Sequence, residues 1–151
     1  MQGVLMKDIK KVSLPHKVTQ TAYKINQSLS NDLKEFDIAP EQRAILEVID
    51  NNNKVSQNEL SQYLKKDKTT VSRTLDVIER KGYITRKYTK EDKRIKFITL
   101  TSFGKDVLNK TEEILNLFRK KTIANLSEEE ITIFYDLLEK LLLNIERSDD
   151  K

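Results

Sequence analysis

The sequence predicts a mainly α-helical fold with one small β-hairpin, that is, an α+β chain. Its 151 residues include only three Gly and two Pro, fewer than the turns of an all-β protein require. Most apolar residues recur at spacings of three and four, the period of amphipathic helices. Between residues 83 and 100 this period is lost, and two runs rich in aromatic and β-branched residues flank a highly charged segment. That arrangement is typical of a hairpin.

Two helices are predicted before residue 54. The first begins at Leu14 and has Pro15 in its first turn, where proline is tolerated. Pro40 opens the second helix, and the polar run 51–53 ends it. The expected inward residues are Val18, Ala22, Ile25, Leu29 and Leu33 in the first helix, and Ala44, Ile45, Val48 and Ile49 in the second.

Two shorter helices separated by a tight break are predicted next. Ser56 and Glu59 have the spacing of a capping box, in which each side chain bonds the backbone N–H of the other residue. Residues 65–66 form the break, Asp67 caps the following helix, and Gly82 ends it. The expected inward residues are Leu60, Tyr63 and Leu64 in the first, and Val71, Leu75 and Ile78 in the second.

Strands are predicted at 83–88 and 95–100, joined by the wholly polar tip 89–94. Two long helices follow, one over about 102–125 and one that starts at a second capping box, Ser127 with Glu130. Their expected inward residues are Val107, Leu108, Ile114, Leu115 and Phe118, and then Ile131, Phe134, Leu138, Leu141, Leu142 and Ile145.

The last helix has a second set of apolar residues outside its inward stripe, which makes the apolar arc too wide for a helix that buries one face. We infer a subunit interface built from the terminal helices. A fully internal helix in a monomer is the alternative. The additional residues are Ile133, Tyr135, Leu137 and Leu143.

Composition excludes several classes of protein. No apolar run approaches the roughly 20 residues that cross a membrane, and residues 1–17 lack the apolar centre of a signal peptide, so we expect a cytoplasmic protein. With no Cys and one His, His16, the chain has no thiol chemistry, disulfide, zinc finger or His-paired catalytic dyad. We therefore expect no cofactor, no metal site and no catalytic residue.

Positive charge is confined to one segment of the chain. Residues 54–96 contain 13 Lys and Arg against 6 Asp and Glu, a net charge of +7, whereas the rest of the chain has a net charge of −3. A basic segment between mildly acidic ends is typical of one module that meets a polyanion. A solvated lysine-rich surface is the alternative interpretation.

The order helix, short helix, helix, strand, charged hairpin, strand predicts a helix-turn-helix followed by a wing. Such a unit places the start of its second helix in the major groove, where hydroxyls meet base edges or phosphates and Arg73 can hold guanine by two bonds. The hairpin tip can reach the adjacent minor groove, and Asp92 is expected to pair with Arg94 or another base and hold the tip in shape. The predicted DNA contacts are Ser56, Lys65, Lys68, Thr69, Thr70, Ser72, Arg73, Arg86, Lys87, Lys90, Asp92, Lys93 and Arg94.

These motifs resemble those of the MarR family of bacterial transcription regulators, from about Lys17 to Arg147. Residues 70–86 are similar to that family's recognition helix and first wing strand, residues 92–94 to its Asp-x-Arg wing motif, and residues 100–104 to its Leu-Thr-x-x-Gly. The resemblance implies a homodimer that is joined through the first and last two helices and binds an inverted-repeat operator. We therefore expect a sequence-specific regulator of transcription, in the form of a repressor.

The resemblance also implies a division of the chain and a ligand cleft. Residues 1–36 and 101–151 would form the helical dimerisation region, and residues 37–100 the DNA-binding domain. Members that sense oxidants use Cys, and members that bind zinc use several His and acids, so neither mode of sensing is expected here. A small-molecule effector is compatible with the chain, with His16 and Tyr23 as candidate pocket residues, although both can equally be ordinary surface or packing residues.

Two other functions stay open. A winged-helix module for protein interaction would use the basic face to bind an acidic protein partner, but the hydroxyl-rich start of the second short helix argues against it. An enzyme would need a base or nucleophile in a cleft. Apart from His16, the acids, lysines and hydroxyls of the sequence form no such group.

Overall fold

The structure, a computed structural model, describes residues 12–88, 90–91 and 94–149. It confirms the mainly helical fold with one hairpin and divides the chain into two compact units, one up to Ile114 and one from Leu115 onward. The functional division expected above stays a prediction. In the described residues the elements are α1 (Leu14–Leu33), a 3₁₀ helix (Lys34–Phe36), α2 (Pro40–Asn52), α3 (Gln57–Leu64), α4 (Lys68–Arg80), β1 (Ile84–Tyr88), β2 (Ile95–Leu100), α5 (Ser102–Thr122) and α6 (Glu128–Asp149).

Short capping motifs start α3 and α6 as predicted. The Ser56 hydroxyl accepts a hydrogen bond from the Glu59 N–H at 3.1 Å, and the Glu59 carboxylate accepts one from the Ser56 N–H at 2.7 Å. Ser127 and Glu130 make the same pair of bonds. These bonds satisfy N–H groups that have no partner inside the helix.

The start of α2 is held differently. Ala39 has no side chain that could cap it, and its backbone N–H instead donates to the Gln42 side-chain oxygen at 3.1 Å. One half of a capping box is therefore present at a helix that lacks the usual Ser or Thr.

The core of the first unit lies where α2, α4 and the sheet meet. Ile45, Leu75 and Ile98 are fully buried there, and the buried row predicted for α4 is confirmed. Two expectations for α2 and α3 need correction: Leu46 is also fully buried, whereas Tyr63, expected inward, is 70% exposed. The eight-residue α3 buries only a narrow stripe centred on its Leu60, so Tyr63 lies outside that stripe.

The two strands pair in antiparallel register and form the wing. Ile84 faces Leu100, Arg86 faces Ile98 and Lys87 faces Phe97. Val55, in the turn between α2 and α3, exchanges two backbone hydrogen bonds with Ile98, at 3.1 and 2.7 Å. The base of the wing is thus tied to the helix-turn-helix.

Two glycines make the junction from α4 through the wing to α5 possible. Gly82 follows α4 with a φ of +81°, in the left-handed region that favours glycine. A Cβ at Gly104 would lie 2.0 Å from the Tyr83 carbonyl oxygen, so only glycine fits there. The Thr101 hydroxyl accepts from the Gly104 N–H at 2.9 Å and donates to the Gly82 carbonyl at 2.5 Å. The Leu-Thr-x-x-Gly segment therefore holds the start of α5 in close contact with the backbone of Gly82 and Tyr83.

The second unit contains the end of α5 and all of α6. No described residue of α6 is buried, and Phe134 and Ile145, both expected inward, are 58% and 63% exposed. The described residues of this unit do not cover the apolar arc, so the burial expected for these side chains is wrong within the unit. The choice between a subunit interface and an internal helix in a monomer stays a prediction.

Candidate nucleic-acid interface

The first half of α4 presents a polar surface to solvent. Val71 and Leu75 are buried on the inner side of the helix, which leaves Lys68, Thr69 and Arg73 exposed. Within the part of the chain that the structure describes, no hydrogen bond or ion pair engages these three side chains. They are therefore available to a ligand, at a helix end whose N–H groups favour anions.

Asp67 and Thr70 fix the start of this surface. The Asp67 carboxylate accepts from the Thr70 N–H at 2.7 Å and from the Thr70 hydroxyl at 2.9 Å. These two bonds hold the pKa of Asp67 below its usual range. Because the Thr70 hydroxyl donates to Asp67, only its acceptor capacity is left for another partner. Ser72, the remaining predicted residue of α4, is half-buried.

Ser56 and Lys65 lie at the two ends of α3. Ser56 is half-buried as the cap of this helix, whereas Lys65 is exposed and ends the helix with a φ of +51°. The Nζ atom of Lys66 is 2.5 Å from the Glu41 carboxylate. No partner engages the Lys65 side chain among residues 12–88, 90–91 and 94–149, so Lys65 rather than Lys66 is the available cation of this pair.

Arg86 joins the wing to α4. Its guanidinium lies 2.6 Å from Asp76 and donates two bonds of 3.0 Å to Glu79, and its side chain is 10% exposed. The hydrogen bond with Glu79 raises the pKa of Arg86 and lowers that of Glu79. These donors of Arg86 are therefore engaged within the chain. The predicted contact of Arg86 with DNA stays a prediction.

The wing places more basic residues at the surface. Lys87, Lys90 and Arg94 are exposed, whereas Asp92 and Lys93 lie outside the described residues. Sequence reasoning missed Lys54, whose ammonium lies 5.1 Å from the centre of the Phe97 ring. Lys54 is the first residue of the basic segment 54–96, and this membership was the available sequence signal. It comes directly before Val55, which pairs with β2 in the structure.

Sequence reasoning also missed a buried arginine. The Arg43 guanidinium donates to the Thr111 hydroxyl at 2.7 Å, to the Leu108 carbonyl at 3.3 Å, to Glu112 at 2.8 Å and to Glu47 at 2.9 Å. Arg43 precedes the buried Leu46 by three residues, a spacing that puts both on one side of α2. That spacing indicates the face of the helix, whereas the partners that bury Arg43 lie 65 to 69 residues away.

The structure does not bring the two candidate effector residues into an enclosed cavity. Both His16 and Tyr23 are exposed on α1, and Tyr23 lines an open depression whose other lining residues, Lys17, Thr19, Gln20, Thr21 and Lys24, belong to the same helix. In the second unit, an open apolar groove of about 560 Å³ lies between α5 and α6. Among the described residues, no three His, Cys, Asp or Glu side chains are grouped to hold a metal ion, and no helix is long and apolar enough to cross a membrane.

Comparison with known proteins gives concordant results. A model described as MarR family matches residues 36–95. The HTH-type transcriptional regulator PapX of Escherichia coli is 29% identical over 133 residues, which are 84% of this chain and 81% of PapX. The structure of a mutant MarR from E. coli complexed with operator DNA has a TM-score of 0.76 at 25% identity, covering 85% of this chain and 93% of that one. The S. aureus MepR-DNA complex has a TM-score of 0.76 at 26% identity, covering 88% and 96%.

Proposed function

We propose that this chain is a transcriptional regulator of the MarR family, a family of regulators and not of enzymes, and that it is a cytoplasmic repressor that binds an inverted-repeat operator as a homodimer. The observation that carries the proposal is the row Lys68, Thr69 and Arg73 at the start of α4, which is exposed and has no side-chain partner among the residues described above. Hydroxyl and guanidinium groups at that position are suited to base edges, and the helix N-terminus is suited to phosphate.

Two similar proteins support DNA as the ligand. The similar structures of the mutant E. coli MarR and of S. aureus MepR are both complexes with DNA. In the proposed complex, α4 enters the major groove and the wing residues Lys90 and Arg94 contact the neighbouring phosphates or minor groove. Binding would then fall steeply with salt, because each neutralised phosphate releases counterions.

Exposed apolar surface on the terminal helices supports the homodimer. Contiguous apolar patches are rare on soluble monomers and mark interaction sites. A two-fold interface would present two α4 helices to half-sites about one helical turn of DNA apart. The exposed apolar residues are Leu14, Tyr23 and Ile25 of α1 and Ile133, Phe134, Tyr135, Leu137, Leu143 and Ile145 of α6.

Release by a small molecule completes the proposal. His16 and Tyr23 lie seven residues apart, two turns along α1, so an enclosed pocket at these residues needs further walls, which a partner subunit would supply. A phenolic effector is expected to lower operator affinity in the parent but not in Tyr23→Ala. Titration of a fluorescent operator with and without salicylate as the probe distinguishes the two outcomes, and equal effects on both proteins would exclude Tyr23.

Selection from a random double-stranded DNA pool tests the main proposal. The expected product is an inverted repeat, bound by two chains. If the bound sequences are not enriched for any motif, and an acidic protein binds the basic face as tightly as DNA does, the protein-interaction alternative replaces this proposal.

A further inference from the structure

Arg43 is the buried charge of the first unit. It is 1% exposed, and the only other buried polar residue among the described positions is Thr111, to which it is bonded. Its Nε, Nη1 and Nη2 atoms all donate hydrogen bonds, and two of its acceptors, Glu47 and Glu112, are carboxylates. The charge is therefore both paired and hydrogen-bonded, as a buried guanidinium must be.

The partners of Arg43 connect two distant parts of the chain. Arg43 belongs to α2, the helix that precedes the helix-turn-helix pair α3 and α4, whereas Leu108, Thr111 and Glu112 belong to α5, which follows the wing. These bonds span 65 to 69 residues of sequence. They reach the Leu108 carbonyl on one turn of α5 and the Thr111 hydroxyl and Glu112 carboxylate on the next, so they fix α2 both along and around that helix.

Packing alone would not require an arginine there. An apolar side chain of similar volume is often as stabilising as a buried ion pair, because removing the charges from water costs free energy. Hydrogen bonds differ from apolar contacts in being directional, with preferred distances and angles. A ring of directional bonds selects one arrangement of two packed helices among several of similar packing energy.

We propose that Arg43 is a positioning residue for operator binding, which sets the distance and angle between the two α4 helices by fixing α2 against α5. This inference rests on the proposed homodimer. Adding one base pair between half-sites moves them apart by about 3.4 Å and rotates them by about 35°. A dimer with rigidly held reading helices therefore discriminates strongly between operator spacings, and a loosened dimer discriminates less.

The experiment compares the parent with Arg43→Met, Thr111→Val and the control Lys110→Met. Met keeps much of the apolar stem of Arg43, and Val keeps the shape of Thr111 without its hydroxyl. Lys110 is an exposed residue of α5 that pairs only with its helical neighbour Asp106 in the described structure. Each protein is titrated against the selected operator and against versions with one base pair added or removed at the centre.

Arg43→Met is expected to lose about tenfold in affinity for the native spacing while losing less than about threefold for the altered spacings, so that discrimination falls. Thr111→Val is expected to lose discrimination to a smaller extent, and Lys110→Met none. Thermal unfolding followed by circular dichroism shows which variants fold. If Arg43→Met does not fold, the spacing discrimination of Thr111→Val tests the proposal instead.

Equal losses at all three spacings, or a lower melting temperature with unchanged discrimination, would overturn the positioning role and leave Arg43 a stabilising residue only. The parent protein separates this failure from failure of the proposed function. If the parent is monomeric or enriches no inverted repeat, the proposed function fails and this inference fails with it. If the parent discriminates spacings and the variants do so equally well, only the inference fails.

Discussion

The winged lobe, from α2 to β2, and the terminal helices α1 and α6 differ in how far one chain buries their apolar residues. In the lobe, Ile45, Leu75 and Ile98 are fully buried, whereas α6 has no buried residue among those described and α1 has only Leu33 at its end. One chain therefore buries the apolar core of the lobe, with α5 packed against it. The terminal helices have amphipathic sequences whose apolar sides the described residues leave exposed, and in the proposed homodimer a second copy covers them.

A core substitution in the lobe should have the largest effect. Leu75→Ala removes a fully buried side chain of α4 and leaves a cavity, so the free energy of unfolding should fall by about 2–5 kcal/mol. Urea titration followed by circular dichroism measures the change. Leu137→Ala is the matched control on α6, where the side chain is 51% exposed. An equal loss for both variants at concentrations where the protein is monomeric would remove the distinction between the two regions.

A substitution on α6 should instead affect association. Phe134→Ala removes an exposed aromatic side chain that the proposed interface would bury, worth about 1.5–3 kcal/mol, or roughly ten- to hundredfold in the dimer dissociation constant. Sedimentation velocity over a concentration series measures it. Tyr63→Ala is the control, since it removes an exposed aromatic residue from the lobe. If both variants dimerise as tightly as the parent, Phe134 lies outside the interface.

Within the lobe, the start of α4 and the wing should contribute differently to DNA binding. Arg73→Ala should cost about 1–3 kcal/mol of discrimination between the operator and a sequence altered at the contacted base, because a bidentate bond to guanine is lost. Arg94→Ala should weaken binding to all sequences alike and reduce the salt dependence. Fluorescence anisotropy with matched and altered operators measures both effects. If both variants bound the operator as tightly as the parent, these roles would be wrong.

Removing the ion pairs between the wing and α4 should have a smaller effect on the free energy of unfolding, and this effect should depend on pH. Arg86→Met removes the bonds to Asp76 and Glu79 and should lower the free energy of unfolding by about 1 kcal/mol near neutral pH. Because Arg86 lowers the pKa of Glu79, the stabilisation is present above the ordinary Glu value of 4.5 and is lost as the pH falls through the folded-state pKa. The difference between parent and variant should therefore shrink on acidification. Lys87→Met is the control, and a difference that stayed constant with pH would argue against this ion pair.

Features that depend on neighbouring residues could be predicted from the sequence. The capping bonds of Ser56 and Asp67 and the left-handed Gly82 involve residues only a few positions apart, so spacing alone indicates them. The spacing of apolar residues likewise predicted which side chains of α4 are buried. The hydroxyl-rich start of α4 was predicted as a surface, and the structure leaves its Lys68 and Arg73 exposed.

Features that depend on distant contacts could not be predicted in this way. Three arginines that look alike in the sequence have different surroundings in the structure. Arg43 is buried against α5, Arg86 is bonded to two acids of α4, and Arg73 is exposed. Which arginine is available is decided by tertiary packing. The inward position expected for Phe134 failed for a related reason, because the period of a helix predicts an apolar face and not the molecule that covers it.

Sedimentation of the protein with and without its selected operator measures directly whether a homodimer binds an inverted repeat. We expect a protein dimer in the absence of DNA and two chains on each inverted repeat, with each half-site required for tight binding. A monomer that binds a single half-site as tightly as the full repeat, or a dimer that binds all DNA sequences equally, would contradict it.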